Sequence, residues 1–130
     1  MLPLITRDQL AAEMEAGTVV VVDTMPVAYY EQEHIPGARN IPGFPYEQAA
    51  EFTDACAPTV LPDKSVPVVV YCANIPCRNS GLVGERLLKL GYQNVRKYRE
   101  GIEDWAAAGL PTESSAAAQA RMNPTRKEVS

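Results

Sequence analysis

Two uninterrupted runs of apolar, mostly β-branched residues constrain this chain more than any other feature: Thr18–Asp23 (TVVVVD) and Val66–Tyr71 (VPVVVY). A strand with one wet face alternates apolar and polar side chains. A run without alternation suits a strand covered on both faces, as in a parallel sheet with helices above and below. Pro67 is compatible with this, because proline is tolerated near a strand start. Asn94–Tyr98 and Ala38–Ile41 are shorter strand candidates. Helical patterns separate the strands, so the expected fold is α/β, with a mostly parallel central sheet flanked by helices on both faces.

The helices have readable ends. Thr6, with Gln9 three residues on, has the spacing of a capping box, and Ile5 with Leu10 forms a hydrophobic staple. Leu10, Ala11 and Met14 then line one face, and Gly17 is a suitable stop. Tyr46–Ala57 carries Ala49, Phe52, Thr53 and Cys56 at helical spacing. Asn79–Leu90 has the clearest pattern, with Val83, Leu87 and Leu90 on one side and Glu85 four residues before Lys89. Gly101–Ala108 places Ile102 and Trp105 together. All 11 prolines fall outside the interiors of these four segments, as helix geometry requires.

At 130 residues the chain has the length of one domain. Residues 1–113 are expected to form it. From 114 to 130 bulky apolar residues thin out, which predicts a solvated polar tail, helical in part around Ala116–Met122. With 46% hydrophobic and 22% charged residues, the composition is neither disordered nor fibrous. A net charge of −4 argues against a nucleic-acid partner. Neither apolar run approaches the roughly 20 residues that span a bilayer, so no membrane association is expected. The N-terminal segment has no basic region before an apolar stretch, so no secretory signal is visible. Three cysteines do not make a disulfide framework, and the expected compartment is a reducing cytoplasm.

The chemistry concentrates at one place. In open α/β sheets ligands bind beyond the carboxyl ends of the strands, and Cys72 directly follows the second apolar run. The segment Cys72–Ala73–Asn74–Ile75–Pro76–Cys77–Arg78 leads from that strand into the strongest helix. Backbone N–H groups of such a loop can point at an anion, and the helix start adds positive potential. Arg78 adds a full charge. Together they are expected to favour thiolate over thiol at Cys72 and to cradle an oxyanion beside it. The alternative is a cysteine that only packs as a small hydrophobe.

Several marks in fixed order carry a resemblance: VVVVDTMPVAYYEQEHIPGARNIP, then VVVYCANIPC, then RLLKLGYQNVRKYREGIEDWAAAGLPTE with its G-x-x-x-W-x-x-x-G-x-P ending. From about Ile5 to Glu113 the chain resembles the rhodanese family of sulfurtransferases and single-domain persulfide carriers. The resemblance implies that Cys72 accepts sulfane sulfur as a persulfide, and that the amides of residues 73–78 bind the transferred sulfur. It implies thiosulfate or a persulfide as donor and a thiol, cyanide or a protein thiol as acceptor. This ping-pong chemistry needs no metal or organic cofactor.

The loop also departs from that pattern. The family usually has a basic residue five after the cysteine. Here Cys77 stands there and Arg78 follows, giving the C-x5-R spacing of tyrosine phosphatases and of phosphatases and arsenate reductases on the same fold. Tyr71 replaces the His that usually precedes a phosphatase cysteine. A non-enzymatic sulfur-relay or docking module is a third reading. Cys77 is either a resolving thiol for Cys72 or a loop filler; a zinc site would require further ligands beyond His34. Arg78 reads as an anion clamp and Ser80 as a helix cap or thiolate donor. His34 and Asp23 read as structural, and Trp105 as core. Arg96, Lys97 and Arg99 form a basic cluster, with Arg99 either near the loop mouth or simply solvated.

Overall fold

A computed structural model describes residues 2–115. The elements follow in the order α1 (Arg7–Ala16), β1 (Val20–Asp23), α2 (Val27–Gln32), β2 (Arg39–Asn40), a 3-10 turn (Tyr46–Gln48), α3 (Ala49–Val60), β3 (Val68–Tyr71), α4 (Asn79–Lys89), β4 (Val95–Tyr98) and α5 (Gly101–Ala107). The four strands are all parallel and lie in the order β2-β1-β3-β4.

The apolar runs have no alternation because both sheet faces are covered. Val22, Val68, Val70 and Val95 point to one face, against Ala57 and Leu61 of the α3 region and Val83 and Leu87 of α4. Val21, Val69, Tyr71 and Tyr98 point to the other, against Leu10 of α1 and Ile102 and Trp105 of α5. Valines 68, 69 and 70 are completely buried.

Local signals explain most element ends. Thr6 accepts from the Gln9 amide at 3.1 Å, and the Gln9 side chain accepts from the Thr6 amide at 3.1 Å, closing the capping box. Gly17 ends α1 at φ 73°, a left-handed conformation that costs glycine little. Two features differ from expectation. Helix α3 runs past Ala57 and includes Pro58. A proline in the last turn frees only one carbonyl, and the buried Ala57 and Leu61 keep that turn against the core. Helix α2 has no counterpart in the sequence reading; it has no side-chain cap and no buried residue. The expected tail helix around 116–122 lies outside the described residues. Among the described residues, no helix is long and apolar enough to cross a membrane.

Candidate functional site

Strand order reverses between β1 and β3: the chain moves from β1 outward to β2, then crosses to β3 on the other side. The carboxyl ends at such a switch point leave a crevice. Here a cleft of about 570 Å³ opens there, and the segments after all four strands contribute to its walls. Met25 and Pro26 follow β1, Phe44 and Tyr46 follow β2, Ala73, Cys77 and Asn79 follow β3, and Ile102 and Glu103 follow β4.

The floor is pinned by hydrogen bonds between strand ends. The Thr24 amide and hydroxyl both donate to the Tyr71 carbonyl, at 2.9 and 2.8 Å. The Asn79 side chain donates to the Thr24 carbonyl at 2.9 Å, which ties the start of α4 to the end of β1. Gly43 sits so close to Asn79 that a side chain there would meet its backbone oxygen at 2.7 Å. The Tyr71 hydroxyl donates to Asp23 Oδ2 at 2.7 Å and accepts from the Ile35 amide at 3.0 Å. Asp23 is fully buried. Burial pushes its carboxyl up to about 6, against hydrogen bonds from Tyr71 and the Met25 amide that hold it down. Burial, then the Asp23 charge, drives the Tyr71 phenol far above its ordinary range. Both groups are structural: they lock the end of β3 one residue before Cys72.

The loop itself is held from the other side. The Ile102 amide donates to the Cys72 carbonyl at 2.9 Å, and the Glu103 amide to the Ala73 carbonyl at 3.0 Å. These contacts need glycine at 101, which has φ 76°; a side chain there would meet the Cys72 and Ala73 backbone at 2.5–2.6 Å. In a trans peptide the N–H points opposite to the carbonyl. With two carbonyls turned toward α5, the amides of Ala73 and Asn74 point away from it. The turn Asn74–Ile75–Pro76–Cys77 closes through the Cys77 amide and Asn74 carbonyl at 3.3 Å. Helix α4 starts without a side-chain cap, so its first amides keep their donor capacity. Ser80 is buried in that first turn and does not cap it, a correction to the expected role, because the capping position is occupied by Arg78 in helical conformation.

Cys72 is only 2% exposed, whereas Cys77 is half-buried and lines the cleft. A disulfide joins them, with Cα atoms 6.5 Å apart. Cys56 is the free cysteine. Ile75 and Pro76 form the exposed crest of the loop. Arg78 is exposed, with its guanidinium 5.2 Å from the Tyr46 ring centroid. Asn74 donates to Glu103 at 3.2 Å, so a carboxylate stands at the mouth.

Other candidates lie elsewhere. The His34 Nδ1 is 2.6 Å from the Tyr30 carbonyl, and the His34 and Glu113 backbones pair at 2.9 Å in both directions. This clasp fastens Glu113 to the segment after α2. Arg96 pairs with Glu13 in α1. Arg99 lines a separate depression with Arg7 and Asp104 rather than the cleft. The aromatic wall of Phe44, Tyr46 and Tyr29 was not singled out from sequence, since exposed aromatics between elements carry no periodic signal.

This arrangement of strand-end cysteine, tight strand-to-helix loop and switch-point cleft agrees with a family match. The rhodanese-like domain model matches residues 6–108. The chain belongs to the rhodanese-like family. Among relatives, it is 36% identical over 85 residues to the thiosulfate sulfurtransferase PspE of Escherichia coli, covering 65% of this chain and 72% of that protein. It is 34% identical over 112 residues to the HTH-type transcriptional regulator Rv0324 of Mycobacterium tuberculosis, covering 86% of this chain and 45% of that one. The chain thus spans less than half of that regulator. Solved structures agree on the fold: a rhodanese-like domain from Anabaena has a TM-score of 0.69 at 25% identity, covering 88% of this chain and 80% of that one. A rhodanese with anions from E. coli has a TM-score of 0.56 at 31% identity, covering 74% of this chain and 98% of that one.

Proposed function

We propose that this rhodanese-like domain is a sulfurtransferase and that Cys72 is its sulfur carrier. The observation that carries the reading is the placement of Cys72 between two orienting devices. Amides at the start of α5 hold its carbonyl and that of Ala73 on one side. The loop then runs into the uncapped start of α4, with the Ala73 and Asn74 amides turned away from α5. In the reduced protein such a setting favours a thiolate and stabilises negative charge on a second sulfur attached to it.

The Cys72 thiolate attacks the outer sulfur of thiosulfate or a persulfide. The S–S bond of the donor breaks, and sulfite or a thiolate leaves with the bonding pair. A thiol or cyanide later takes the outer sulfur and restores the Cys72 thiolate. The loop residues Ala73, Asn74, Ile75 and Arg78 contribute amides to the cradle, while the Cys77 amide is engaged by the Asn74 carbonyl and Pro76 has none to give. The E. coli relative named as a thiosulfate sulfurtransferase supports this class of reaction.

The test is mass spectrometry of the reduced protein after thiosulfate treatment. Gain of one sulfur atom on Cys72, absent in Cys72→Ser, is the expected result. No gain, with Cys72 open to alkylation, refutes the reading. Hydrolysis of an aryl phosphate that disappears in Cys72→Ser would favour a phosphatase on this fold instead. A second reading, favoured by the M. tuberculosis regulator, is a sensory module in which the sulfur state of Cys72 alters contact with a partner protein. Persulfide-dependent binding without catalytic turnover would identify it.

A further inference from the structure

The loop holds two thiols where one suffices for sulfur transfer. Three observations bear on the second. The Asn74–Cys77 turn doubles the chain back and brings the Cys77 Cα within 6.5 Å of the Cys72 Cα, inside disulfide reach. The two sulfurs are bonded to each other. And the pair is asymmetric: Cys72 is buried, whereas Cys77 lines the open cleft.

We propose that Cys77 resolves the persulfide carried by Cys72, so that the domain also acts as a persulfide reductase that releases hydrosulfide. The proposal rests on the sulfur-carrier reading of Cys72. After loading, Cys72 bears an outer sulfur in anionic form. The sulfur of Cys77 attacks Sγ of Cys72. A bond forms between the two cysteine sulfurs, and the bond from Sγ to the outer sulfur breaks. The outer sulfur leaves with the bonding pair and takes the Cys77 proton, departing as hydrosulfide. The two cysteine sulfurs together lose two electrons, and the sulfane sulfur gains them.

The asymmetry also defines the return step. A dithiol reductant entering the cleft meets Cys77, because Cys72 is buried. Its thiolate attacks the Cys77 sulfur and expels Cys72, the sulfur that the proposed cradle stabilises as a thiolate. Expulsion of the better-stabilised thiolate is the faster direction of exchange. The second thiol of the reductant then releases Cys77 from the mixed disulfide. Two reductant thiols become one disulfide, and both cysteines return to thiols. Intramolecular attack by Cys77 also outcompetes dilute external acceptors, since the loop holds the two groups together.

The experiment uses the full reduced chain, freed of reductant and mixed with thiosulfate in the absence of any added thiol. Sulfide release is measured, and the cysteines are then alkylated and mapped by mass spectrometry. Wild type is expected to release a burst of one sulfide per chain and to end with Cys72 and Cys77 bridged and Cys56 alone alkylated. Cys77→Ser and Cys77→Ala are expected to lose the burst and to retain the extra sulfur on Cys72. If wild type retains that sulfur with Cys77 still alkylatable, and releases no more sulfide than the variants, the resolving role is overturned and the sulfur-carrier reading stands. If no form takes up sulfur, both fall.

Discussion

Gly101→Ala isolates the contact that orients the loop. At φ 76° an alanine pays about 1–2 kcal/mol for the left-handed conformation. Its methyl group would also lie 2.5 Å from the Cys72 carbonyl oxygen and 2.6 Å from the Ala73 carbonyl atoms, which are backbone and cannot swing aside. Relief requires α5 and the loop to separate. The hydrogen bonds from Ile102 and Glu103 then weaken or break, at about 0.5–1.5 kcal/mol each. The total is roughly 2–5 kcal/mol, which lowers the Tm by about 7–20 °C in a domain of this size. Gly109→Ala is the matched control: φ is 80°, but no atom stands within 4 Å of the added methyl. It carries only the conformational cost of about 1–2 kcal/mol. Thermal unfolding by circular dichroism gives both stabilities, and thiosulfate loading of reduced protein gives the effect on Cys72. Gly101→Ala should lose more stability than Gly109→Ala and load sulfur more slowly. Equal stabilities and equal loading rates would refute the claim that α5 holds the loop in place.

Four further outcomes are expected. Because the folded-state pKa of Asp23, at about 6, lies above its ordinary 3.8, the native state holds this proton more tightly. Asp23 therefore favours folding most below pH 4, and that contribution falls by about 3 kcal/mol between pH 4 and pH 6; the difference in urea stability between wild type and Asp23→Asn should drift by this order across that window and be flat above it. Asn79→Ala removes one of two donors to the buried Thr24 carbonyl, the Gly43 amide keeping the other, and should cost roughly 0.5–1.5 kcal/mol in the same assay, with slower sulfur loading as the start of α4 shifts. Glu103→Gln removes a negative charge beside Asn74 and should lower the KM for the thiosulfate dianion by about two- to five-fold at low salt, an effect that shrinks as salt is added. Counted with an alkylating probe under denaturing conditions, the air-oxidised protein should show Cys56 as its reactive thiol, with Cys72 and Cys77 appearing after reduction.

What the sequence conveyed best was burial. The runs TVVVVD and VPVVVY lack alternation because alternate valines serve different cores, and they became β1 and β3 after losing their first residues to connecting segments. The Thr6–Gln9 pair and Gly17 act over a few residues, so α1 was legible end to end. Helix α2 was not, because six residues without a side-chain cap or a buried face leave no periodic trace. The position of Cys72 at a strand end was readable, but the approach of Cys77 was not. It depends on a turn that brings the chain back, and a five-residue spacing allows both open and closed loops. The aromatic wall escaped for a related reason. Phe44 and Tyr46 reach the cleft only because β2 lies beside β1, a pairing between residues 17 positions apart on average in sequence.

The site's polarity follows from how backbone groups are divided between neighbours. Carbonyls need donors, and the Cys72 and Ala73 carbonyls find them at the start of α5. The Tyr71 carbonyl finds them in Thr24, and the Thr24 carbonyl in Asn79 and Gly43. Acceptors around the end of β3 are thus consumed by the scaffold. The donors at the start of α4 are left without a side-chain cap. A surplus of donors on one side of a buried sulfur attracts negative charge, whatever atom bears it. In the proposed cycle the same surplus would serve the thiolate, the loaded persulfide, and Cys72 as the leaving group when its bridge to Cys77 is reduced. One distribution of hydrogen bonds would therefore support all three proposed states of the sulfur, with the half-buried Cys77 at the cleft wall as the partner nearest solvent.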